Sequence, residues 1–116
     1  MSNWHTIQSE GSLHVMELSI PDQVDAVEFD KFNEAIPQML AANADGRWVL
    51  DLTRAQYTGS AMLGLMVNVR QRIKSAGGSL VLCGVSPRLQ QILAASSLDR
   101  LFRVERAREN AVKALS

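Results

Sequence analysis

Two hydroxyl residues, Thr58 and Ser60, stand in the segment Tyr57-Thr58-Gly59-Ser60-Ala61, directly before a helical run that begins Met62-Leu63-Gly64. The backbone N–H groups of a first helical turn lack intrahelical partners, and the positive end of the helix dipole lies there, so negative charge is favoured at that place. A hydroxyl so positioned has three available roles: cap of the helix, nucleophile, or acceptor of a phosphate.

The nucleophile needs a base within reach. His5 and His14 are the only histidines, and both lie upstream in segments that read as strands of an edge hairpin. No Ser-His-Asp order is defensible, and a small hydrolase built on Ser60 is set aside. Other chemistries fare no better. Neither Asp45 nor Asp51 has a partner that suggests paired acid–base work, and Asp51 reads as a strand end or loop anchor. Cys83 is the single cysteine and lies in the apolar run Leu80-Val81-Leu82-Cys83, which reads as a buried, inert thiol. Gly59 and Gly64 have the spacing of a phosphate loop but lack the Lys-Ser/Thr pair that should follow. The two histidines read as surface or half-buried strand positions. The expectation is a protein that is not an enzyme and holds no metal or cofactor. Met62 falls in the first helical turn and is expected to be an exposed apolar residue suited to a protein interface.

The elements that must hold this loop follow from hydrophobic periodicity. Residues 4–9 and 13–20 alternate as two strands about the turn Glu10-Gly11-Ser12, with Leu13, Val15 and, after a slip at Met16-Glu17, Leu18 and Ile20 facing a core. Val27 to Ala42 has helical spacing, with Val27, Phe32, Ala35, Ile36, Met39 and Leu40 on one face; Pro37 is expected to kink it. Trp48 to Leu52 is a nearly continuous apolar run that suits an inner strand. The helix after the hydroxyl loop spans Ser60 to Ala76, with a core stripe of Leu63, Met66, Val67, Val69 or the stem of Arg70, and Ile73, and Gly77-Gly78 stops it. Ser79 to Gly84 is a further inner strand. Ser86 and Pro87 form an N-cap and first-turn pair that opens a helix to Ser97. Leu101 to Val104 reads as a last strand and Glu105 to Leu115 as a last helix. The mixed-charge run Asp99 to Glu109 reads as a solvated face.

The order β-β-α-β-α-β-α-β-α requires parallel pairing with right-handed crossovers after an antiparallel hairpin. The fold class is α/β: one domain over residues 1–116, with a mixed β-sheet of four to five strands flanked by about four helices. Twelve basic and twelve acidic residues cancel, so no nucleic-acid footprint is present. No apolar run approaches the ~20 residues that span a bilayer, and no basic n-region with an apolar core marks a signal peptide. These features lead to the expectation of a bacterial, cytoplasmic protein, a monomer or weak homodimer, with no nucleic acid and no membrane insertion.

An ordered set of short motifs then carries a resemblance: Leu50-Asp51-Leu52, Tyr57 through Gly64, Gly77-Gly78, Leu82 through Pro87, Ser97-Leu98 and Leu101-Phe102. The chain resembles the STAS domain of anti-sigma factor antagonists over nearly its whole length. The resemblance implies a mixed sheet flanked by helices and a role in transcription regulation and signalling. It also implies a partner that is both anti-sigma factor and serine/threonine kinase. In phosphorylated members the loop typically reads Asp-Ser-Ser-Gly-Leu-Gly, and phosphate on a serine there releases the partner by adding about −1.5 to −2 charge to the docking surface. Aligned on Leu63-Gly64, Gly59 replaces the acid, Ser60 matches the first serine, Ala61 matches the second and usual acceptor, and Met62 replaces the glycine. Some stress-signalling relatives use the serine directly after the acid, the slot of Ser60. The resemblance therefore implies phosphorylation candidates Ser60 and Thr58, against a plain capping role for either. It implies a partner-binding set of Thr58, Gly59, Ser60, Ala61 and Met62. The alternative is a STAS-fold scaffold or accessory subunit of a stress-signalling or lipid-transport assembly.

Overall fold

The computed structural model describes residues 3–116, so the first two residues of the expected domain lie outside the described residues. Strands β1 (His5–Glu10) and β2 (Leu13–Leu18) form the antiparallel hairpin. Then β3 (Arg47–Asp51), β4 (Ser79–Cys83) and β5 (Arg103–Glu105) add in parallel, giving a five-stranded sheet in sequence order. Helices α1 (Ala26–Leu40), α2 (Ala61–Ser75) and α3 (Pro87–Ala95) cover one face, and α4 (Arg108–Ala114) packs on the other. The order expected from periodicity and the mixed sheet are both observed.

Alternation along the strands divides the core in two. Trp48, Leu50, Leu52 and Leu82 point into the large cluster beneath α1, α2 and α3, whereas Val49, Val81 and Cys83 meet Ala111 of α4 in a small one. That is why β3 reads as a continuous apolar run: both of its faces are covered. The alternation in β2 is unbroken. Met16, Leu18 and the following Ile20 enter the large core, while Leu13 and Val15 pack against the small cluster. The expected slip at Met16-Glu17 does not occur, because Leu13 to Glu17 pair in one continuous register with both β1 and β3.

Helix α1 runs unbroken through Pro37. A proline at this position removes the N–H that would bond the Asn33 carbonyl four residues earlier. Asn68 Nδ2 of α2 donates to that carbonyl at 3.0 Å and to Asn33 Oδ1 at 3.0 Å. The orphaned acceptor thus becomes a joint between two helices. The buried face of α1 is Phe29, Phe32, Ile36 and Leu40, and Val27, expected in the core, is 60% exposed.

The C-terminal segment starts later than its sequence suggests. A single 3-10 turn, Asp99–Leu101, is closed by Leu101 N–H donating to the Leu98 carbonyl, and it leaves Leu101 exposed. Phe102 is the buried residue, and β5 and α4 follow it.

Candidate functional site

The connection from β3 to α2 lies at the carboxyl end of the parallel strands, where open α/β sheets present their binding crevices. Its first half is rigidly tied. Leu52 N–H donates to the Cys83 carbonyl at 2.9 Å, and the Ile20 carbonyl accepts from Gln56 N–H at 2.8 Å and Tyr57 N–H at 3.3 Å. Asp51 at the end of β3 accepts from Thr53 N–H at 3.0 Å and Thr53 Oγ1–H at 2.6 Å through Oδ1. Its Oδ2 takes Arg108 Nε of α4 at 3.0 Å, and Arg108 Nη2 also reaches Glu17 Oε2 of β2 at 2.9 Å. Burial alone would raise the Asp51 carboxyl, but the Thr53 hydroxyl and amide and the Arg108 guanidinium outweigh it and hold the group below its usual range. Gly84, just past β4, has φ of 67° and its Cα hydrogen points at Thr53; a Cβ there would stand 2.7 Å from Thr53 N. Only glycine lets the two strand ends approach this closely.

Asp51 is therefore a loop anchor, as its place in the sequence suggested. Arg108 belongs to the run that reads as a solvated face, yet it ties α4 to β2 and β3. No short-range signal marks it, because its partners lie 57 and 91 residues away along the chain. Cys83 is fully buried beside Asp51, and burial, with the Asp51 charge, pushes its thiol up to about 12, as suits an inert group.

The second half of the loop carries the hydroxyls. Tyr57 is half-buried with its ring packed on Phe29, centroids 5.2 Å apart. Gly59 lies against that ring: a Cβ on Gly59 would stand 2.7 Å from Tyr57 Cε1. In the slot taken by an acid in the family pattern, a side chain would require the Tyr57 ring to shift. Helix α2 opens through backbone bonds from Met62 N–H to the Gly59 carbonyl and Leu63 N–H to the Ser60 carbonyl, at 2.9 and 3.1 Å.

The capping alternative is not what the structure holds. Ser60 occupies the N-cap position in helical conformation, with φ −60° and ψ −26°, and its side chain makes no capping hydrogen bond. A capping serine is normally extended there, so that its oxygen turns back to the N2 or N3 amide; Ser86 of α3, with ψ 155°, does so and accepts from Leu89 N–H. Thr58 does not cap either. Its Oγ1 accepts a hydrogen bond from Arg88 Nε of α3 at 3.1 Å. Ser60 and Ala61 are exposed, and Thr58 and Gly59 are half-buried. The first turn of α2 contains no acidic residue.

Met62 corrects the sequence expectation. It is fully buried in the large core with Leu65, Met66, Val69 and Ile73. Those positions form one stripe at helical spacing, and Leu63 and Val67, expected at its centre, flank it half-buried. A stripe drawn through Leu65 instead of Leu63 places Met62 inside. The surface part of the expected set is Thr58, Gly59, Ser60 and Ala61. Arg88 joins them without any sequence signal, since it stands 30 residues downstream.

The histidines bear no relation to this loop. His14 is buried, where a surface or half-buried position was expected, with Nδ1 at 2.7 Å from Ser9 Oγ and its ring 4.8 Å from that of Trp48. His5 is half-buried against Phe32. Among the described residues, no group of three or more His, Cys, Asp or Glu could hold a metal ion, and no helix is long and apolar enough to cross a membrane.

Comparison with known proteins agrees with this architecture. A relative from Bordetella bronchiseptica, BtrV, named for anti-sigma factor antagonism, is 34% identical over 84 residues, 70% of this chain and 72% of that protein. The solved STAS domain protein of Planctomyces limnophilus superimposes with a TM-score of 0.81 at 19% identity, over 96% of this chain and 97% of its own. The phosphorylated form of the Bacillus cell fate determinant SpoIIAA superimposes with a TM-score of 0.68 at 14% identity, over 97% of this chain and 99% of its own. The STAS domain family model matches residues 6–111, and the chain belongs to that family as an anti-sigma factor antagonist-like protein.

Proposed function

We propose that this chain is a regulator without catalysis of its own, which binds a serine/threonine-kinase-type anti-sigma factor through Thr58, Gly59, Ser60, Ala61 and the first turn of α2. The partner phosphorylates Ser60. The Ser60 Oγ–P bond forms as the bond from the γ-phosphoryl group of ATP to ADP breaks, and the hydroxyl proton passes to the base of the kinase. One observation carries this reading: Ser60 presents an exposed, uncapped hydroxyl at the start of a helix whose first turn holds no acid. Thr58 is the lesser candidate, because its hydroxyl is half-buried and engaged by Arg88. Ala61, in the usual acceptor slot, has no hydroxyl to modify.

Phosphate at Ser60 places about −1.5 to −2 charge in the docking surface, where the helix dipole stabilises it while an apposed acidic or apolar partner surface is repelled. Incubation with the cognate kinase-type anti-sigma factor and ATP, followed by mass spectrometry, tests the reading. Phosphate is expected on Ser60 and absent from Ser60→Ala, and the modified chain is expected to lose its partner. A partner that binds the chain yet leaves it unmodified overturns the switch.

The departures at Gly59 and Ala61 favour one second reading, a STAS-fold scaffold or accessory subunit with no switch. Its signature is stable assembly with proteins other than a kinase, unaffected by Ser60→Asp.

A further inference from the structure

Arg88 enters the loop from a separate element. It stands exposed in the first turn of α3, and its Nε donates to Thr58 Oγ1 at 3.1 Å. Among the described residues it takes part in no ion pair, in contrast with Arg54, Arg103 and Arg108. A guanidinium offers five N–H donors in a planar fork, and here Nε is the one that holds the loop. The acceptor it holds is a neutral hydroxyl. A phosphate oxygen is a far better match, because a charge-assisted bond is roughly twice as strong and the fork engages two oxygens together. Thr58 and Ser60 are at most about 7 Å apart along the chain, a gap within the joint reach of a phosphoseryl group and an arginine side chain.

We propose that Arg88 is the phosphate-binding residue of this loop. When Ser60 carries phosphate, the guanidinium leaves Thr58 Oγ1, pairs with the phosphate and draws the β3–α2 connection onto α3. Modification then does two things: it adds charge beside the start of α2, and it releases Thr58 from the contact that holds it in the unmodified protein. The loop changes shape as well as sign. This inference rests on Ser60 being the acceptor. It adds a named reader of the modification and a reason why the Thr58 hydroxyl is occupied before modification.

The test uses the full chain with phosphoserine installed at position 60 during translation, so that no kinase is needed. The second ionisation of the phosphate is followed by 31P NMR. In the parent chain it is expected below the ordinary phosphoserine value of about 6. Arg88→Gln is expected to raise it by about half a unit or more, the direction required when an adjacent cation is removed. Arg88→Lys keeps the charge and should retain most of the lowering. Lys74→Gln, at the opposite end of α2, should leave the titration where it is. Identical titrations in the parent and Arg88→Gln overturn the proposal, as does an equal shift in Lys74→Gln. Amide shifts of Ala61 to Leu63 in each variant report whether the start of α2 is intact. A kinase that ignores Ser60 defeats the phosphoacceptor reading and leaves this titration standing; an unmoved titration defeats the role of Arg88 and leaves the kinase result standing.

Discussion

Ser60 and Thr58 are two residues apart, yet their surroundings assign them different work. Thr58 is held by Arg88, and Ser60 is free at the helix start. Met62, two residues further on, separates docking from packing. Were it a surface contact, truncation would weaken partner binding and spare the fold. It is fully buried in the main core, so Met62→Ala is expected to cost about 2–5 kcal/mol of stability through lost burial and a cavity. Denaturant unfolding measures this, and a variant of parent stability with impaired partner binding would return Met62 to the interface. Cys83 gives a second check. Its thiol is buried and pushed up to about 12, so a thiol reagent at neutral pH is expected to label it only as the chain unfolds. Rapid labelling of the native protein contradicts the assignment of Cys83 to the small core. The loop itself was legible in the sequence, because a strand, two hydroxyls and a helical run announce a helix start. The neighbours of those hydroxyls were not. The capping geometry of Ser60 depends on a backbone angle that residue type leaves open, and Arg88 reaches Thr58 only because α3 packs beside the loop.

At the scale of elements, the joint between α1 and α2 shows how a local conflict is resolved by a tertiary contact. Pro37 reads as a kink because it takes away the N–H that would satisfy the Asn33 carbonyl. Helix α1 nonetheless continues through Pro37, and Asn68 of the neighbouring helix supplies a donor to that carbonyl. Asn68→Ala is expected to destabilise the fold by about 1–3 kcal/mol, the cost of leaving a shielded acceptor unpaired. Pro37→Ala restores the native helical donor, so the same Asn68 change should cost less in that background. A coupling on the order of 1 kcal/mol in a double-mutant cycle is the expected result, and additive costs would show that the two residues act separately. The order of elements was readable from periodicity, since strands and helices alternate with clear stops. Rotation of the helices about their axes was less so. Val27 and Leu63 are apolar residues beside the true stripes, and composition alone does not say which of two adjacent apolar rows meets the sheet. The late start of β5 and α4 follows from a turn that ends with Leu101 exposed and Phe102 buried, a choice set by packing and not by the hydrophobicity of either residue.

Across the whole molecule, one charged cluster joins the two layers at the end of the sheet that carries the loop. Asp51 ends β3, Glu17 lies in β2, and Arg108 of α4 pairs with both. Asp51 also orders Thr53, near the start of the connection to α2, so the seating of α4 and the shape of the loop share an anchor. Removing the carboxylate charge while keeping its shape should therefore act on both. Asp51→Asn is expected to lower stability at neutral pH by about 2 kcal/mol, since hydrogen bonds to a charged group are worth roughly 1.5–3 kcal/mol each and part of the Arg108 side chain stays in water. The pH dependence has a definite sign. The folded-state value of Asp51 lies below its ordinary 3.8, so the unfolded chain takes up the proton first as pH falls. The contribution is fully present above about pH 4 and is lost as pH drops through the folded-state value. Arg108 is shifted upward by the Asp51 and Glu17 carboxylates and stays protonated through the neutral and acid range, so the member of the pair that titrates there is Asp51. Thermal unfolding followed from pH 7 downward should show the parent losing stability below about pH 4, with Asp51→Asn starting lower and falling less, so that the two curves approach one another in acid. Parallel curves would mean that Asp51 titrates alike in both states, and the cluster would then be a surface arrangement and not the common anchor of α4 and the loop.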